Sequence, residues 1–293
     1  LSDTAFFEPG NELEIGFRYG DVDGSSNPNT KEQTVFRGLV TSHSISARPN
    51  GSYLTIEARD SAIKMTAVRN NMAFTEQTDD KIIQQLITSN GLEAGDIPSM
   101  KGDASESVQF YCSDWDYMLN RADANGLLVR ANDGTIALFE YMDANGTEHE
   151  FEWGTDSATD FELEVNATDQ NKSVQSLGWD VKTQKQSKSP AATAESPAMG
   201  NLDPGKLATK MGGEKNFLTS GVNLDSDELA AWSKAKLAKA NLSMLRGRIR
   251  VQGDGTMNPG DTLAMKGVGD RFNGKTMIPG VRHRVTVQGW ETD

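Results

Sequence analysis

The sequence predicts a mainly β protein with an α+β middle region, on two observations. Apolar and polar residues alternate in short segments near both ends of the chain, which is the period of a half-buried strand. Between these segments, apolar residues recur at helical spacing after residues that cap helices. We therefore expect a first β domain over residues 1–75, an α+β domain over residues 76–155 and a second β domain over residues 156–293.

The first region contains three alternating segments, at residues 13–19, 35–40 and 54–58. A turn at Pro49-Asn50-Gly51 precedes the third segment. Several short strands at this spacing indicate a barrel or a sandwich.

The middle region predicts two helices and a hairpin. The first helix follows Thr78 and ends at Asn90-Gly91, and the second follows Ser113 and ends at Asn125-Gly126. A hydroxyl can accept the free N–H groups of a first turn, and glycine supplies the left-handed stop. The hairpin turns at residues 132–134. The apolar stripes are Ile82, Ile83, Leu86 and Ile87 in the first helix and Trp115, Met118, Leu119 and Ala122 in the second.

The last region predicts further strands, interrupted once. Residues 184–213 are rich in Ser, Ala, Pro, Gly and Lys and lack a periodic apolar face, so we expect a flexible surface insertion there. A helix over residues 225–244 follows, because Asp225 and Glu228 have the spacing of a capping box. The strands are expected at residues 161–165, 173–182, 248–251 and 282–288.

Composition is that of a globular protein of 293 residues, with 36% apolar and 24% charged residues. The single cysteine, Cys112, excludes an intrachain disulfide bond. The sequence has no run of 18 apolar residues, so we expect no membrane-spanning helix.

Charge is unevenly distributed along a chain of net charge −13. Residues 76–169 carry 21 acidic and four basic residues, whereas residues 234–284 carry 11 basic and three acidic residues. An acidic chain repels a phosphate backbone, so nucleic acid is not expected as a partner. The two blocks are either solvated faces or regions of opposite sign that meet between subunits.

Two loops match ligand-binding patterns without the flanking structure that those patterns need. Residues 269–276 fit the phosphate-loop pattern, but Pro279-Gly280 and a predicted strand follow where a helix should begin. Residues 21–32 place oxygens at calcium-loop positions, but Ser26 replaces the turn glycine and strands flank the loop. We interpret both as structural loops and expect no metal and no cofactor.

Catalytic patterns are weak. The three histidines, His43, His149 and His283, fit no metalloprotease spacing, and the sequence lacks a G-x-S-x-G turn. Cys112 and His149 could be drawn as nucleophile and base, but no local signal marks the thiol as activated. We therefore do not expect an enzyme.

Several blocks in family order resemble the VgrG and Rhs-element Vgr proteins. These are spike (hub) proteins of type VI secretion and extracellular contractile injection systems, and they are similar to phage late control protein D and baseplate hub proteins. The likeness covers most of the chain, in the blocks FEPGNELEI (7–15), FRGLV (36–40), ARDSAIKMT (58–66), SDWDYML (113–119), RAD (121–123), RGR (246–248) and GVGDRFNGK (267–275).

The resemblance implies two β-barrel domains of the baseplate-hub type with helical insertions. It also implies a homotrimer, in which a ring of approximate sixfold symmetry joins a hexameric, Hcp-like inner tube to a threefold spike. Baseplate proteins and a PAAR-like tip on a C-terminal spike would be further partners, without stable membrane insertion. Because such proteins continue into that spike, we expect the chain to be a piece of a longer one. It would assemble in the bacterial cytoplasm into a phage tail-like particle, which can be released or secreted.

Six residues are candidates for subunit interfaces. Trp115, Trp179 and Trp232 are either interface anchors or intrachain core. Arg246, Arg248 and Arg250 would meet the acidic middle of a neighbouring subunit. The alternative functions are a spike-associated effector and an envelope- or carbohydrate-binding module. The sequence leaves open which kind of particle is involved, its target cell and its cargo.

Overall fold

A computed structural model describes residues 4–19, 32–100, 105–140, 146–155, 158–180, 183–193, 200–220 and 224–293. These residues are mainly β, which confirms the predicted fold class. Every sheet formed by the described strands is open, so the expected closed barrels are not found within this part of the chain.

Nineteen strands and four α-helices are described, together with short 3-10 helices at Ala5–Phe7 and Ser61–Thr66. The strands up to residue 152 are β1 (Glu12–Phe17), β2 (Gln33–Arg48), β3 (Gly51–Arg59), β4 (Arg69–Gln77), β5 (Glu93–Ala94), β6 (Ser105–Ser113), β7 (Leu127–Asn132), β8 (Thr135–Glu140) and β9 (Glu148–Glu152). The later strands are β10 (Ala158–Val165), β11 (Ser173–Asp180), β12 (Lys185–Lys188), β13 (Ala192–Thr193), β14 (Asn216–Thr219), β15 (Leu245–Gln252), β16 (Thr262–Lys266), β17 (Gly274–Met277), β18 (His283–Thr286) and β19 (Gly289–Thr292). The helices are α1 (Asp79–Ser89), α2 (Asp114–Ala124), α3 (Pro204–Met211) and α4 (Ser226–Leu242).

The strands form six sheets, of which the largest have four strands. β9 pairs in parallel with β16, so the chain joins a sheet of the last region before the expected boundary at residue 155. The domain boundaries themselves stay a prediction. The strand orders are β1-β2-β3, β4-β6, β5-β8-β7, β17-β16-β9, β10-β15-β19-β18, and β12-β11-β13 with β14 parallel to β11.

Helices α1 and α2 begin and end as the sequence predicts. The apolar stripe of α1 is buried, and Ser113 accepts a hydrogen bond from the backbone N–H of Asp116 at the start of α2. Two details differ. The Thr78 hydroxyl makes no capping hydrogen bond, and Leu119 is exposed while Tyr117 takes the buried position.

We expected residues 184–213 to form a flexible insertion, but part of this segment has regular secondary structure. β12 and β13 pair with β11, and α3 follows. Asp203 caps α3 by accepting from the Lys206 N–H, and Gly212 ends it in the left-handed conformation. The capping signals were present in the sequence, but the helix is too short to give a clear period.

Helices α2 and α4 contact each other. The β4-β6 ribbon packs on α1 and α2, and α4 packs on the β11 sheet. The helices approach closely because Gly126, in the left-handed conformation, lacks a side chain; a Cβ there would lie 3.0 Å from the Ala235 Cβ. The helix pair therefore connects the β4-β6 ribbon to the β11 sheet.

Asp114, at the start of α2, is a buried carboxylate held by three amides. Its Oδ1 accepts from Asn70 Nδ2 and Gln109 Nε2, both at 2.8 Å, and its Oδ2 accepts from Asn90 Nδ2 at 2.8 Å. Burial raises the pKa of the Asp114 carboxyl, but the three hydrogen bonds outweigh it and hold that pKa below its ordinary value. The network joins β4, β6, the end of α1 and the start of α2.

Trp290 connects the first sheet to the last. Its ring lies 5.4 Å from that of Phe17 and stacks on Tyr19 at 5.5 Å between centroids. The Tyr19 hydroxyl donates to the Gly253 carbonyl at 2.8 Å. Residues more than 230 positions apart are thereby packed together.

β10 and β15 carry opposite charges in register. Asp160, Glu162 and Glu164 lie opposite Arg250, Arg248 and Arg246. The nitrogen-to-oxygen distance is 3.8 Å for Arg246–Glu164 and 3.4 Å for the diagonal Arg248–Asp160 pair. Because a one-residue slip would place these charges on the other face, the ladder favours this register.

Replacing Asp114 with Ala is expected to lower the free energy of unfolding by about 3 kcal/mol at neutral pH, because the buried Gln109 amide and the partly buried Asn70 and Asn90 amides lose their acceptor. Comparison of wild type with Asp114→Asn should show how the stabilisation by the carboxylate depends on pH. The native pKa is lowered, so the carboxylate stabilises the fold above the unfolded pKa, and this stabilisation is lost as the pH falls through the native pKa. Urea unfolding should therefore show the gap between wild type and Asp114→Asn narrowing below about pH 4.

Asp116→Asn is the matched control for Asp114→Asn, since it removes a charge from the same helical turn at an exposed position. We expect a much smaller loss for this variant. Equal losses for the two variants would contradict the role given to the Asp114 network.

A charge swap tests the β10–β15 ladder. Arg248→Glu and Glu162→Arg should each lower the free energy of unfolding by about 1 kcal/mol, because each places like charges opposite one another. The double variant should recover most of the loss, and added salt should reduce each single effect. Additive losses in urea unfolding would show that the ladder does not stabilise this register.

Candidate interaction surfaces

The loops and the Cys–His pair that the sequence raised as possible binding or catalytic sites have structural roles, as far as they lie within the described residues. Residues 269–276 lead into β17, not into a helix, and Gly269 has a positive φ. His149 Nε2 contacts the Asp261 carboxylate at 2.9 Å, while Cys112 packs partly buried against the core around α1 and α2. The calcium-like loop lies outside the described residues, except for Glu32.

In the described part of the chain, no group of three or more His, Cys, Asp or Glu side chains is placed to hold a metal ion. None of the described helices is both long enough and apolar enough to cross a membrane.

The predicted tryptophans lie in three different environments. Trp115 is partly buried against the core around α1 and α2. Trp232 is partly buried on α4, and Trp179 on β11 is 50% exposed. The three rings thus differ in burial, and their role as interface anchors stays a prediction.

The predicted arginines are engaged with carboxylates of the same chain. Besides the pairs on β10, Arg250 Nε donates to Asp293 Oδ1 at 2.6 Å. This hydrogen bond lowers the pKa of the Asp293 carboxyl. Opposite-sign segments do meet, but they meet here within one chain. The role of the arginines between subunits remains a prediction.

The ribbon face is the outer side of β4 and β6, formed by Asn71, Ala73, Val108 and Phe110, with Tyr111 beside it. Phe110 is 81% exposed and Val108 63% exposed. On the inner side, Phe74 and Gln109 are buried against the helices. The ribbon thus presents large apolar side chains to solvent and buries a polar one.

The lysine–aromatic face is the outer side of the β11 sheet. Its residues are Gln175, Leu177 and Trp179 on β11, Gln186 and Lys188 on β12, and Phe217 and Thr219 on β14, with Lys215 just before β14. Lys215 Nζ lies 4.6 Å from the centroid of the Phe217 ring. Within the described strands this face carries no carboxylate.

The inner side of β11 explains why this face points outward. Val174 and Ser176 are fully buried beneath α4, and the Ser176 hydroxyl lies 2.7 Å from that of Ser233. A Cβ on Gly178 would come within 3.4 Å of the Leu229 side chain. Small inner residues let α4 approach closely, so the bulky residues of β11 occupy the outer face.

The sequence predicted Trp179 but missed Val108, Phe110, Phe217, Lys188 and Lys215. An available signal was the alternation around Gln109, which marks a strand with one apolar side. Alternation does not say which side faces the core. That choice depends on the helix that covers the strand.

Solved structures with the same fold include three tail proteins. The 43 kDa tail protein of prophage MuSo2 from Shewanella oneidensis has a TM-score of 0.67 at 11% identity, with 96% of this chain and 87% of that chain covered. A tail protein from Neisseria meningitidis MC58 has a TM-score of 0.62 at 15% identity, with 89% and 79% covered. Prophage tail protein gp18 from Listeria monocytogenes EGD-e has a TM-score of 0.57 at 13% identity, with 98% and 84% covered.

A fourth structure is the Escherichia coli c3393 protein, described as a type VI secretion component with structural similarity to the T4 tail proteins gp27 and gp5. Its TM-score is 0.54 at 10% identity, with 95% of this chain and 62% of that chain covered. At these identities the likeness shows a shared fold.

Sequence comparison with curated proteins gives no significant match. A family model described as the Alg8 N-terminal domain matches residues 1–287. The sequence blocks described above had instead suggested the VgrG family. Because this model covers nearly the whole sequence, the chain belongs to the Alg8 N-terminal domain family.

Proposed function

We propose that the chain is a structural hub protein of a contractile injection machine. The observation that carries this proposal is the fold, which three phage or bacterial tail proteins and a type VI secretion component share across nearly the whole chain. Fold alone does not fix function. The sequence blocks that resemble spike proteins support the same assignment independently.

In this proposal three copies form a ring that joins a hexameric tube to a threefold spike. The chain offers two β units for such a ring, the β1-β2-β3 sheet and the β10-β15-β19-β18 sheet, packed together through Trp290. Three copies would present six such units. Exposed apolar side chains on the ribbon face and the lysine–aromatic face supply surface for contacts with partners.

The role is mechanical and not catalytic. During contraction the ring would transmit force between tube and spike, so it must stay assembled under load. Obligate assemblies of this kind bury more than about 2,000 Å² of surface per interface. Baseplate proteins and a spike tip would be further partners in the same particle.

Native mass spectrometry of the chain, alone and with its cognate tube protein, tests the proposal. We expect a trimer that binds one tube hexamer, because the ring must match both symmetries. A tube protein from an unrelated particle is the control and should not bind. A chain that neither trimerises nor binds the tube would contradict the hub role.

A further inference from the structure

The ribbon face has the size of an interface core. Val108, Phe110 and Tyr111 are each more than 60% exposed. Together they leave roughly 400 Å² of largely apolar surface, within the range for the largest patch on a monomer. A stable interface covers about 800 Å² on each partner, so this patch would be its centre and polar neighbours its rim.

The rim of the ribbon face is acidic at one end. Glu106 lies two residues before Val108 on β6 and therefore points to the same side, and Glu76 is exposed on β4. Arg69 stacks on the Tyr111 ring at the other end, 5.3 Å from its centroid.

The lysine–aromatic face has the complementary character. Trp179 and Phe217 are each 50% exposed. Leu177 lies on β11 between Trp179 and the position that pairs with Phe217. Lys188 and Lys215 are the charged groups of this face, in a chain of net charge −13. Aromatic residues are enriched at interface cores, and complementary rim charges select the partner.

The two faces belong to different sheets and are both exposed. The ribbon face lies on the side of β4 and β6 away from α2, and the lysine–aromatic face lies on the side of β11 away from α4. Since the large side chains of both faces are exposed in the folded chain, neither face covers the other within one copy. A second copy can bring two such faces together, and because the faces differ, the contact then repeats head to tail until a ring closes.

We propose that the ribbon face of one copy docks on the lysine–aromatic face of a second copy. Phe110 and Val108 pack against Trp179, Leu177 and Phe217, and Glu106 lies near Lys188 or Lys215. The inference rests on the trimer of the proposed function and names the surfaces that build it. It places the subunit contact away from Arg246, Arg248 and Arg250.

Two single substitutions and their mixture test this pairing. Phe110→Ser removes the most exposed apolar side chain of the ribbon face, and Trp179→Ser removes the tryptophan ring of the lysine–aromatic face. Both side chains are at least half exposed, so both variants should fold, which circular dichroism and urea unfolding check. Native mass spectrometry and sedimentation velocity in the micromolar range should show a wild-type trimer and two monomeric variants.

Mixing the variants gives the decisive result. The Phe110→Ser chain keeps its lysine–aromatic face and the Trp179→Ser chain keeps its ribbon face, so a mixture can form one contact but cannot close a ring. We expect a one-to-one heterodimer and no trimer. Val287→Ser is the matched control, because Val287 is a fully exposed apolar residue outside both faces, and it should remain trimeric.

The other outcomes separate this inference from the hub proposal. Variants that stay trimeric, or monomeric variants that give no heterodimer, overturn the pairing and leave the tube-binding test of the hub unaffected. A wild-type chain that is monomeric across the range overturns the pairing and the trimer together, and the two faces then serve other partners.

Discussion

The buried carboxylate of Asp114 is the constraint on which the middle of the molecule depends. A charge without a cationic partner is tolerated in a core only when hydrogen bonds satisfy it. Its donors come from three places in the chain, and one of them is Gln109 on β6. Gln109 must therefore face inward. Because successive side chains alternate, Val108 and Phe110 must face solvent.

A different cause produces the same inversion on β11. There the helix α4 lies so close to the strand that only Ser176, Gly178 and Val174 fit between them. Close packing of small residues thus turns Leu177 and Trp179 outward. In one strand a polar network reverses the usual orientation, and in the other the limited space does. Both exposed faces are consequences of what the helices need on the inside.

Charge acts locally in this molecule. The acidic middle and the basic end of the sequence meet along β10 and β15, where cross-strand pairs favour one register. Exposed pairs of this kind contribute little stability each. Their effect is on specificity, since a one-residue slip would turn the charges of one strand to the other side of the sheet, away from their partners. The charged residues of the two exposed faces lie outside this ladder and are available to determine which partner binds. Proteins of the same fold at 10–15% identity can differ in those surfaces.

The sequence by itself determined the elements with strong local signals. Helices α1 and α2, the hairpin at Asp133 and Gly134, and the capping box of α4 depend on contacts within a few residues, which the sequence displays directly. Only the tertiary structure decided which side of β6 and β11 is buried, that residues 185–188 become a strand, and that Arg248 meets Asp160. These outcomes depend on elements far apart in sequence. The period of a strand gives two sides but not their orientation, and that is set by the helix, carboxylate or neighbouring strand that folding brings against it.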